Sequence, residues 1–304
     1  MKWIPYVLFL LCTAPTWAQK PDNFIRIPGG AYPFQLEDDT TVTWVQLADF
    51  YISPTEVSYA QMAAYAMDHG INPETFHYTA WGEPVADRVA IHVNWFDAIR
   101  YANWLSEQQG YSPAYHIYSR LRAEDGTDSW LELSSSDTAY WANETSEDPT
   151  PLYWDSLSWD RSSKGYRLPT EVEWEYAASS YTKLGRVQVY AGTESEYSLD
   201  DFAWYSGNKA HAIASRSPNA LKLYDMSGNA WEWCFDVYAS NPAASWQSLE
   251  NPSYENYESL RTSYRCLRGG GWFNLFNYCQ VRNRNYNHPG IRYINDGFRL
   301  VRTL

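Results

Sequence analysis

The side chains best suited to molecular recognition lie near the C-terminus. Between Trp272 and Gly297 the chain combines aromatic rings with asparagine amides and follows neither helical nor strand periodicity. Rigid aromatics give a large contact area at little conformational entropy, and amides both donate and accept hydrogen bonds. This composition predicts a ligand-binding surface. Its candidate residues are Phe273, Asn274, Leu275, Phe276, Asn277, Tyr278, Asn285, Tyr286, Asn287, His288, Gly290, Ile291, Tyr293, Ile294, Asn295 and Asp296.

The motifs that flank this surface are framework in character. Residues 268–272 read Arg-Gly-Gly-Gly-Trp and residues 297–300 read Gly-Phe-Arg-Leu. Glycines allow close backbone approach, and the Trp and Phe rings are large apolar anchors. A fully exposed set of apolar residues would form a large patch, so we expect about half of those between the motifs, such as Phe273, Leu275 and Ile291, to pack partly into the core.

Three cysteines follow the N-terminal segment, at Cys234, Cys266 and Cys279. In an oxidising compartment this odd number implies one disulfide with one free thiol, or three free thiols. Cys234 and Cys266 both lie in strand-like runs, so a bridge between strands is possible. Buried, inert thiols are the alternative, and the sequence leaves the pairing open.

The elements that must position these residues form an α+β pattern with much irregular structure. Strands are expected at residues 24–30, 42–47 and 50–53, and helices at residues 55–67, from Asn94 and at residues 171–179. Thr170 with Glu173 forms a capping box for the third helix, whose acidic first turn suits the helix dipole. Residues 111–163 form a polar insertion with room for one hairpin. No linker divides residues 19–304, which we interpret as a single domain.

Composition limits the partners. The formal charge of −13 argues against nucleic acid and anionic membranes as ligands. The N-terminus has a positive Lys2, an apolar run at residues 4–12 and a small-residue cleavage site before Gln19, which is typical of a signal peptide over residues 1–18. Lipidation at Cys12 is the alternative. No other segment has the ~18 apolar residues of a membrane helix, so we expect an exported protein.

Ordered motifs make the chain similar to a known family. Together they resemble the formylglycine-generating-enzyme, or sulfatase-modifying factor, domain family, over nearly all of the chain after the leader. The resemblance implies a variant of the C-type lectin fold. The motifs are Ile27-Pro28-Gly29-Gly30, Val93-Asn94-Trp95 with Asp97-Ala98, YRLPTEVEWEYAA at 166–178, LYDMSGNAWEW at 223–233, Arg268-Gly269-Gly270 and Gly297-Phe298-Arg299.

One branch of the family consists of copper oxidases. The resemblance places their two metal-binding cysteines at Asn274 and Cys279 and an assisting serine at Gly271. An amide is a poor ligand for Cu(I), which prefers two soft thiolates, so the copper site is incomplete. A divergent oxidoreductase that uses Cys279 stays the alternative function.

A second branch uses non-haem iron, which needs clustered histidines and a carboxylate. Histidine spacing here shows no such cluster, although convergence in space stays open. The histidines are His69, His77, His92, His116, His211 and His288.

The resemblance also implies a structural calcium ion. Its ligands would be the Asp225 and Glu232 carboxylates with the Gly228 and Ala230 carbonyls, which are hard-oxygen groups that suit calcium. A metal-free turn with Glu232 bonded to backbone is the alternative.

A third branch binds ligands without catalysis, and some of its members are diversified by retroelements that mutate adenines. Every candidate residue type between Phe273 and Asp296 can be reached from an asparagine codon by changing its first adenine, its second adenine or both. The sequence therefore favours an exported, non-catalytic protein that binds a protein or cell-surface ligand, with its oligomeric state left open.

Overall fold

The computed structural model describes residues 23–36, 41–82, 84–123, 126–134, 154–255 and 260–304. The predicted signal peptide at residues 1–18, its cleavage site and the alternative lipidation site at Cys12 lie outside these ranges. Within them, the chain folds into the mixture of helices and antiparallel strands that the sequence predicts.

The α-helices are few and short compared with the connecting chain. They are α1 (Tyr59–Asp68), α2 (Trp95–Gln108), α3 (Glu171–Ala178) and α4 (Tyr181–Leu184). Single 3₁₀ turns occur at Pro73–Phe76, Thr79–Trp81, Glu196–Asp201, Pro242–Ala244 and Phe276–Cys279.

The strands are also short. In chain order they are β1 (Ile25–Ile27), β2 (Gly30–Phe34), β3 (Thr43–Leu47), β4 (Phe50–Ile52), β5 (Tyr115–Arg122), β6 (Asp128–Leu133), β7 (Ser156–Trp159), β8 (Tyr166–Arg167), β9 (Trp231–Val237), β10 (Arg265–Arg268), β11 (Arg284–Asn287), β12 (Asp296–Gly297) and β13 (Val301–Thr303).

The three longer helices each begin at a reciprocal cap. Ser58 and Gln61 cap α1, Asn94 and Asp97 cap α2, and the predicted pair Thr170 and Glu173 caps α3. In each pair the cap side chain accepts from the N3 backbone while the N3 side chain accepts from the cap backbone. Two otherwise unpaired amides are satisfied at each helix start, which fixes where the helices begin.

Two sheets among the described residues carry the fold. One has the order β1-β4-β13-β8 and joins the first strand to the C-terminal strand. The other has the order β11-β10-β9-β12, with β12 parallel to β9 and the remaining pairs antiparallel. The second sheet brings both halves of the C-terminal segment against Trp231 and Glu232.

The polar insertion at residues 111–163 forms the expected hairpin over its described part. Strands β5 and β6 pair from Ile117–Leu133 to Arg122–Asp128, and β7 adds to the other edge of β5. Buried Ile117 and Leu157 tie this small sheet to the main core.

Large aromatic side chains fill the core. Trp95, Trp174 and Trp233 are fully buried. Their indole N–H groups find acceptors: Trp95 donates to the Cys234 carbonyl at 3.1 Å, Trp233 to the Val93 carbonyl at 2.8 Å and Trp174 to Glu232 Oε2 at 2.7 Å. Because each buried donor is satisfied, tryptophan can supply the burial that this chain does not obtain from Leu, Ile and Val.

Helix α3 buries the carboxylates of Glu171, Glu173 and Glu175. Glu171 accepts from Arg268 at 3.0 Å and from both Nε and Nη2 of Arg284, at 2.5 and 2.8 Å. Glu175 accepts from Arg268 Nη2 at 2.5 Å and from the Tyr32 hydroxyl at 2.8 Å. Burial alone would raise the pKa of Glu171, but Arg284 and Arg268 hold it at about 2. The helix is therefore locked to β10 and β11 by charge.

The three cysteines are free and buried. Cys234 and Cys266 lie on the neighbouring strands β9 and β10, and burial raises the pKa of each thiol well above its usual value. Cys266 donates to Glu171 Oε2 at 3.3 Å. Of the alternatives that the sequence left open, the structure has three unbridged thiols.

No helix in the part of the chain that the structure describes has the length and apolar character needed to cross a membrane.

The buried pairing of Arg268 predicts a large stability effect. Arg268→Met leaves the Glu175 carboxylate buried without its cation, so we expect unfolding to become easier by about 3–5 kcal/mol, measured by urea denaturation at pH 7. The control is Arg120→Ala, which breaks the exposed 3.8 Å pair with Asp128 and should cost no more than about 1 kcal/mol. Equal effects of the two substitutions would contradict this role for Arg268.

Candidate functional site

A cavity of about 320 Å³ opens on the face of the sheet formed by β9, β10, β11 and β12. Its volume falls at the lower end of the range for small-molecule pockets, so it suits a side chain or a small ligand better than a large one. The lining residues are Trp231, Leu267, Phe273, Asn274, Asn285, Tyr286, Asn287, Ile291, Tyr293, Asn295 and Asp296.

Asp296 and Asn295 are the buried polar residues of the cavity, each 2% exposed. Strand β12 places Asp296 opposite Trp231 of β9, and the Trp231 amide donates to the Asn295 carbonyl at 2.8 Å. Asp296 Oδ2 accepts from Asn287 Nδ2 at 3.0 Å, whereas Asn295 Oδ1 has no hydrogen-bond partner.

The electrostatics of Asp296 follow from this burial. Burial raises its pKa to about 7, and the hydrogen bond from Asn287 opposes that shift only in part. A carboxyl group with such a pKa changes charge within the physiological range. The cavity therefore holds a group whose charge depends on pH and on what binds beside it.

The rim consists of half-exposed aromatic and aliphatic side chains. Phe273, Tyr286, Ile291 and Tyr293 are between 37% and 49% exposed. Tyr286 is held by neighbouring rings, with Tyr238 at 4.3 Å and Tyr264 at 5.1 Å between centroids. Because these contacts come from outside the cavity, one face of the Tyr286 ring can meet a ligand without rearrangement.

Asn274 is fixed by its surroundings. Its Oδ1 accepts from Trp231 Nε1 at 2.9 Å and from the Gly271 amide at 3.0 Å. The preceding glycines permit this arrangement: a Cβ on Gly270, whose φ is +79°, would come within 2.9 Å of Cys279 Sγ. The Arg-Gly-Gly-Gly motif thus folds the segment tightly enough to place Asn274 beside Trp231.

The structure brings most of the sequence-predicted ligand-binding residues together. Phe273, Asn274, Asn285, Tyr286, Asn287, Ile291, Tyr293, Asn295 and Asp296 all line the cavity. The remaining candidates lie outside the cavity, some on the surface and some packed against or near the core.

Four of these remaining candidates lie on the surface. Leu275, Phe276, Asn277 and Tyr278 occupy the exposed turn around Phe276–Cys279. The three apolar candidates expected to pack partly into the core, Phe273, Leu275 and Ile291, are instead 37%, 59% and 43% exposed, so that expectation is wrong for them. Ile294 does pack against the cluster around Trp272. His288 follows β11 and lies close to Tyr264, and Gly290 is buried.

Sequence reasoning missed two lining residues, Trp231 and Leu267. Trp231 lies in the LYDMSGNAWEW motif and Leu267 in the strand-like run around Cys266, and both count among the buried residues of the core. Their role in the cavity depends on the packing of β9 beside β10 and β12, where Leu267 pairs with Trp233 and Trp231 pairs with Asp296. Local sequence carries no signal for this pairing.

The acids of α3 are part of the framework. Glu173 accepts a two-pronged ion pair from Arg167, with both contacts at 2.7 Å, as well as capping α3. This agrees with the interpretation of Glu173 as part of a capping box.

The geometry around Cys279 does not fit the copper chemistry of the alternative function. Cys279 is buried beside Tyr190, Leu199 and Ala203, and burial raises its pKa to about 12. Asn274, at the other copper position, uses its oxygen to hold Trp231 and Gly271. Since the thiolate is disfavoured and the amide is committed, we derive no step through copper.

For iron, the described residues contain no group of three or more His, Cys, Asp or Glu side chains arranged to hold a metal. The histidines of these ranges are therefore not gathered into the cluster that iron chemistry would need.

The loop of the predicted calcium site is held by protein contacts. Glu232 accepts from Arg299 Nε and Nη2, both at 2.6 Å, and from Trp174. Asp225 accepts from the Ala214 amide at 2.7 Å through Oδ2, while its buried Oδ1 has no partner. Asp225 thus suits a hard cation, but Glu232 in this arrangement does not because Arg299 occupies both its oxygens.

Glu56 adds a third buried carboxylate beside this loop. It accepts from Asn229 Nδ2 at 2.7 Å and from the Ala230 amide at 3.0 Å. Burial and the nearby Asp225 and Glu232 raise the pKa of Glu56, and burial raises that of Asp225 to about 6. Protons on these groups reduce their mutual repulsion without an ion. Calcium at Asp225, Gly228, Ala230 and Glu232 stays a prediction.

Known proteins similar to this chain agree with the fold. Chaperone protein LppX of Paenibacillus barcinonensis is 27% identical over 95% of this chain and 92% of its own length. The formylglycine-generating enzyme of Thermomonospora curvata is 26% identical over 91% and 92%. Treponema denticola variable protein 1 superimposes with a TM-score of 0.69 at 30% identity, covering 92% of this chain and 94% of that structure.

A family model, the sulfatase-modifying factor enzyme 1-like domain, matches residues 13–304. The match includes the motifs that begin α3, form the loop before β9 and frame the cavity. The chain therefore belongs to the sulfatase-modifying factor enzyme 1-like domain family.

Proposed function

We propose that this chain is an exported protein that binds a protein or cell-surface ligand in the cavity of its C-terminal segment, without catalysis. The observation that carries the proposal is the convergence of most of the aromatic and amide candidates on one cavity with an exposed rim. Aromatic anchors with fixed amides favour binding at low entropy cost.

The electrostatics of the framework support binding over redox chemistry. The acidic side chains of α3 and Glu232 of β9 are committed to arginines or backbone amides. Cys279 is a buried thiol whose raised pKa disfavours the reactive thiolate. The groups that an oxidase would use thus serve the fold, while the cavity has free acceptors.

The names of two similar proteins also favour binding without catalysis. One of them is named a variable protein and another a chaperone protein. Neither name denotes an enzyme, although the formylglycine-generating enzymes are also similar over nearly the full length. A divergent oxidoreductase dependent on copper or iron is the second candidate, and that similarity favours it.

Diversification of the segment is part of the proposal. The candidate residues from Phe273 to Asp296 are all reachable from asparagine codons, and most of them line the cavity or its exposed surroundings. The invariable part would be the buried frame of Trp272, Phe298 and Arg299. Substitutions at exposed positions cost little stability, so one scaffold can present many surfaces.

Binding is tested by selecting a random peptide library on the purified protein. We expect selected peptides to lose at least about tenfold in affinity on Tyr286→Ala with Tyr293→Ala, because each removes a contact worth on the order of 1–2 kcal/mol. The matched control is Tyr197→Ala, which truncates a tyrosine that is 91% exposed outside the cavity. Selected peptides that bind all three proteins equally would refute the cavity as the ligand site.

Metal analysis by mass spectrometry separates the two candidate functions. The oxidase candidate predicts stoichiometric copper or iron that disappears in Cys279→Ser, whereas the binding proposal predicts the same transition-metal content in both proteins. Copper or iron dependent on Cys279 would overturn the binding-only proposal. Calcium that is lost in Asp225→Asn would support the loop site, and calcium unaffected by that substitution would argue against it.

The gene provides the test of diversification. We expect codons ending in a pyrimidine at the candidate positions, together with a nearby near-copy of the segment that has asparagine codons there and with a reverse-transcriptase gene. Genomic sequencing of the source strain measures this. Adenine-independent differences between the two copies would contradict the diversification proposal and leave the binding proposal intact.

A further inference from the structure

The cavity has an electrostatic character that no catalytic or metal site explains. Its lining residues, all within the described ranges, include the Asp296 carboxyl and no Lys, Arg or His. Arg284 and Arg292, which adjoin lining residues in the sequence, are engaged elsewhere, Arg284 by Glu171 and Arg292 by Asp97 at 2.9 Å. Asp296 is therefore an acid without a basic partner among the residues that line the cavity.

A second, independent observation points to a hydrogen-bond donor as the occupant. Asn295, 2% exposed and lining the same cavity, leaves its Oδ1 without a hydrogen-bond partner. A buried acceptor without a partner costs free energy, and a ligand that donates to it recovers that cost. Asp296, whose Oδ2 already accepts from Asn287, offers further acceptor capacity at the same place.

The walls around these acceptors are aromatic. Trp231, Phe273, Tyr286 and Tyr293 line the cavity, and aromatic rings attract organic cations through their negative faces. An anionic ligand would instead meet the carboxylate of Asp296 with no cation beside it. The formal charge of −13 also attracts cations to the protein at long range.

We propose that the cavity binds a protonated amine, with Asp296 and Asn295 as acceptors of its N–H groups and the aromatic rim around its alkyl chain. The inference rests on the proposed ligand-binding function and names its ligand class. A lysine side chain of a partner protein and a free alkylamine share this chemistry, and the cavity volume of about 320 Å³ accommodates either.

The experiment uses the full mature protein and four probes, measured by calorimetry or NMR titration. The cationic probes are butylamine and a capped Gly-Lys-Gly peptide, and the neutral matches are butanol and the same peptide with acetyl-lysine. We expect each ammonium probe to bind at least about tenfold more tightly than its neutral match. Tighter binding of the lysine peptide than of butylamine would identify a protein side chain as the source, and the reverse a free amine.

Asp296→Asn should abolish the preference for the ammonium probes, while the exposed-site control Asp201→Asn should keep it. The Asn side chain retains an acceptor for Asn287, and thermal unfolding of each variant verifies the fold. Equal affinity for cationic and neutral probes, no binding of either ammonium probe at millimolar concentration, or an unchanged preference in Asp296→Asn would each overturn the proposal.

The wild-type protein supplies a readout that does not depend on a variant. Because the pKa of Asp296 is raised to about 7, a protonated Asp296 must lose its proton before it can pair with a cation. Affinity for butylamine, which stays protonated throughout, should therefore rise about tenfold from pH 6 to pH 8. Affinity for butanol should stay constant, and equal pH profiles for the two probes would contradict the assignment.

Other titratable groups lie near Asp296. Tyr286 and Tyr293 share the cavity, Glu232 lies beside it on β9 but is paired with Arg299, and His288 follows β11. Before α2, the Val93 amide donates to the Asp296 carbonyl and the His92 amide to the Tyr293 carbonyl, so His92 and the Asp97–Arg292 pair are also close. His288→Gln is the control for the pH profile. Loss of the pH profile in His288→Gln, with the profile kept in Asp296→Asn, would assign it to His288 and refute the proposal.

The library peptides distinguish a cavity that does not bind amines from a cavity that binds no ligand. Library peptides that depend on Tyr286 and Tyr293 but contain no enrichment in lysine would leave the binding function standing and reject the amine. Peptides that ignore the cavity would reject both.

Discussion

The rest of the structure depends on the ion pairs of the buried Glu171 carboxylate. It joins α3 to Arg268 at the end of β10 and to Arg284 at the start of β11. Charges removed from water are tolerated only when they are paired and hydrogen-bonded. The pairing therefore holds both strands to the helix, and with them the chain segments that form the cavity.

This constraint separates the scaffold from the proposed binding surface. The frame consists of buried groups with satisfied partners, such as Arg268 with Glu175 and Arg299 with Glu232. The rim side chains Tyr286 and Tyr293 are half exposed and contribute little to that frame. A scaffold held by buried ion pairs and indole hydrogen bonds tolerates change at the rim, because surface substitutions away from such features have small effects on stability.

The cavity combines this tolerant rim with fixed polar residues. Asn274 is held by Trp231 and Gly271, and Asp296 by Asn287. Preorganised acceptors need no ordering when a ligand arrives, so more of the interaction free energy appears as affinity. The same groups explain why redox chemistry is poorly supported, because the amide that would replace a metal-binding thiolate is committed to the fold.

The sequence by itself determined the starts of α2 and α3, the framework motifs and the composition of the C-terminal segment, whereas α1 begins at Tyr59 and not at the predicted residue 55. Capping residues such as Thr170 with Glu173 act within one turn, so their effect is visible locally. Only the tertiary structure decided which candidates meet. Trp231 and Leu267 joined the cavity, Leu275 and Tyr278 stayed outside it, and Asp296 acquired its raised pKa. The physical reason is that burial and strand pairing depend on residues distant in the chain, which no local pattern records.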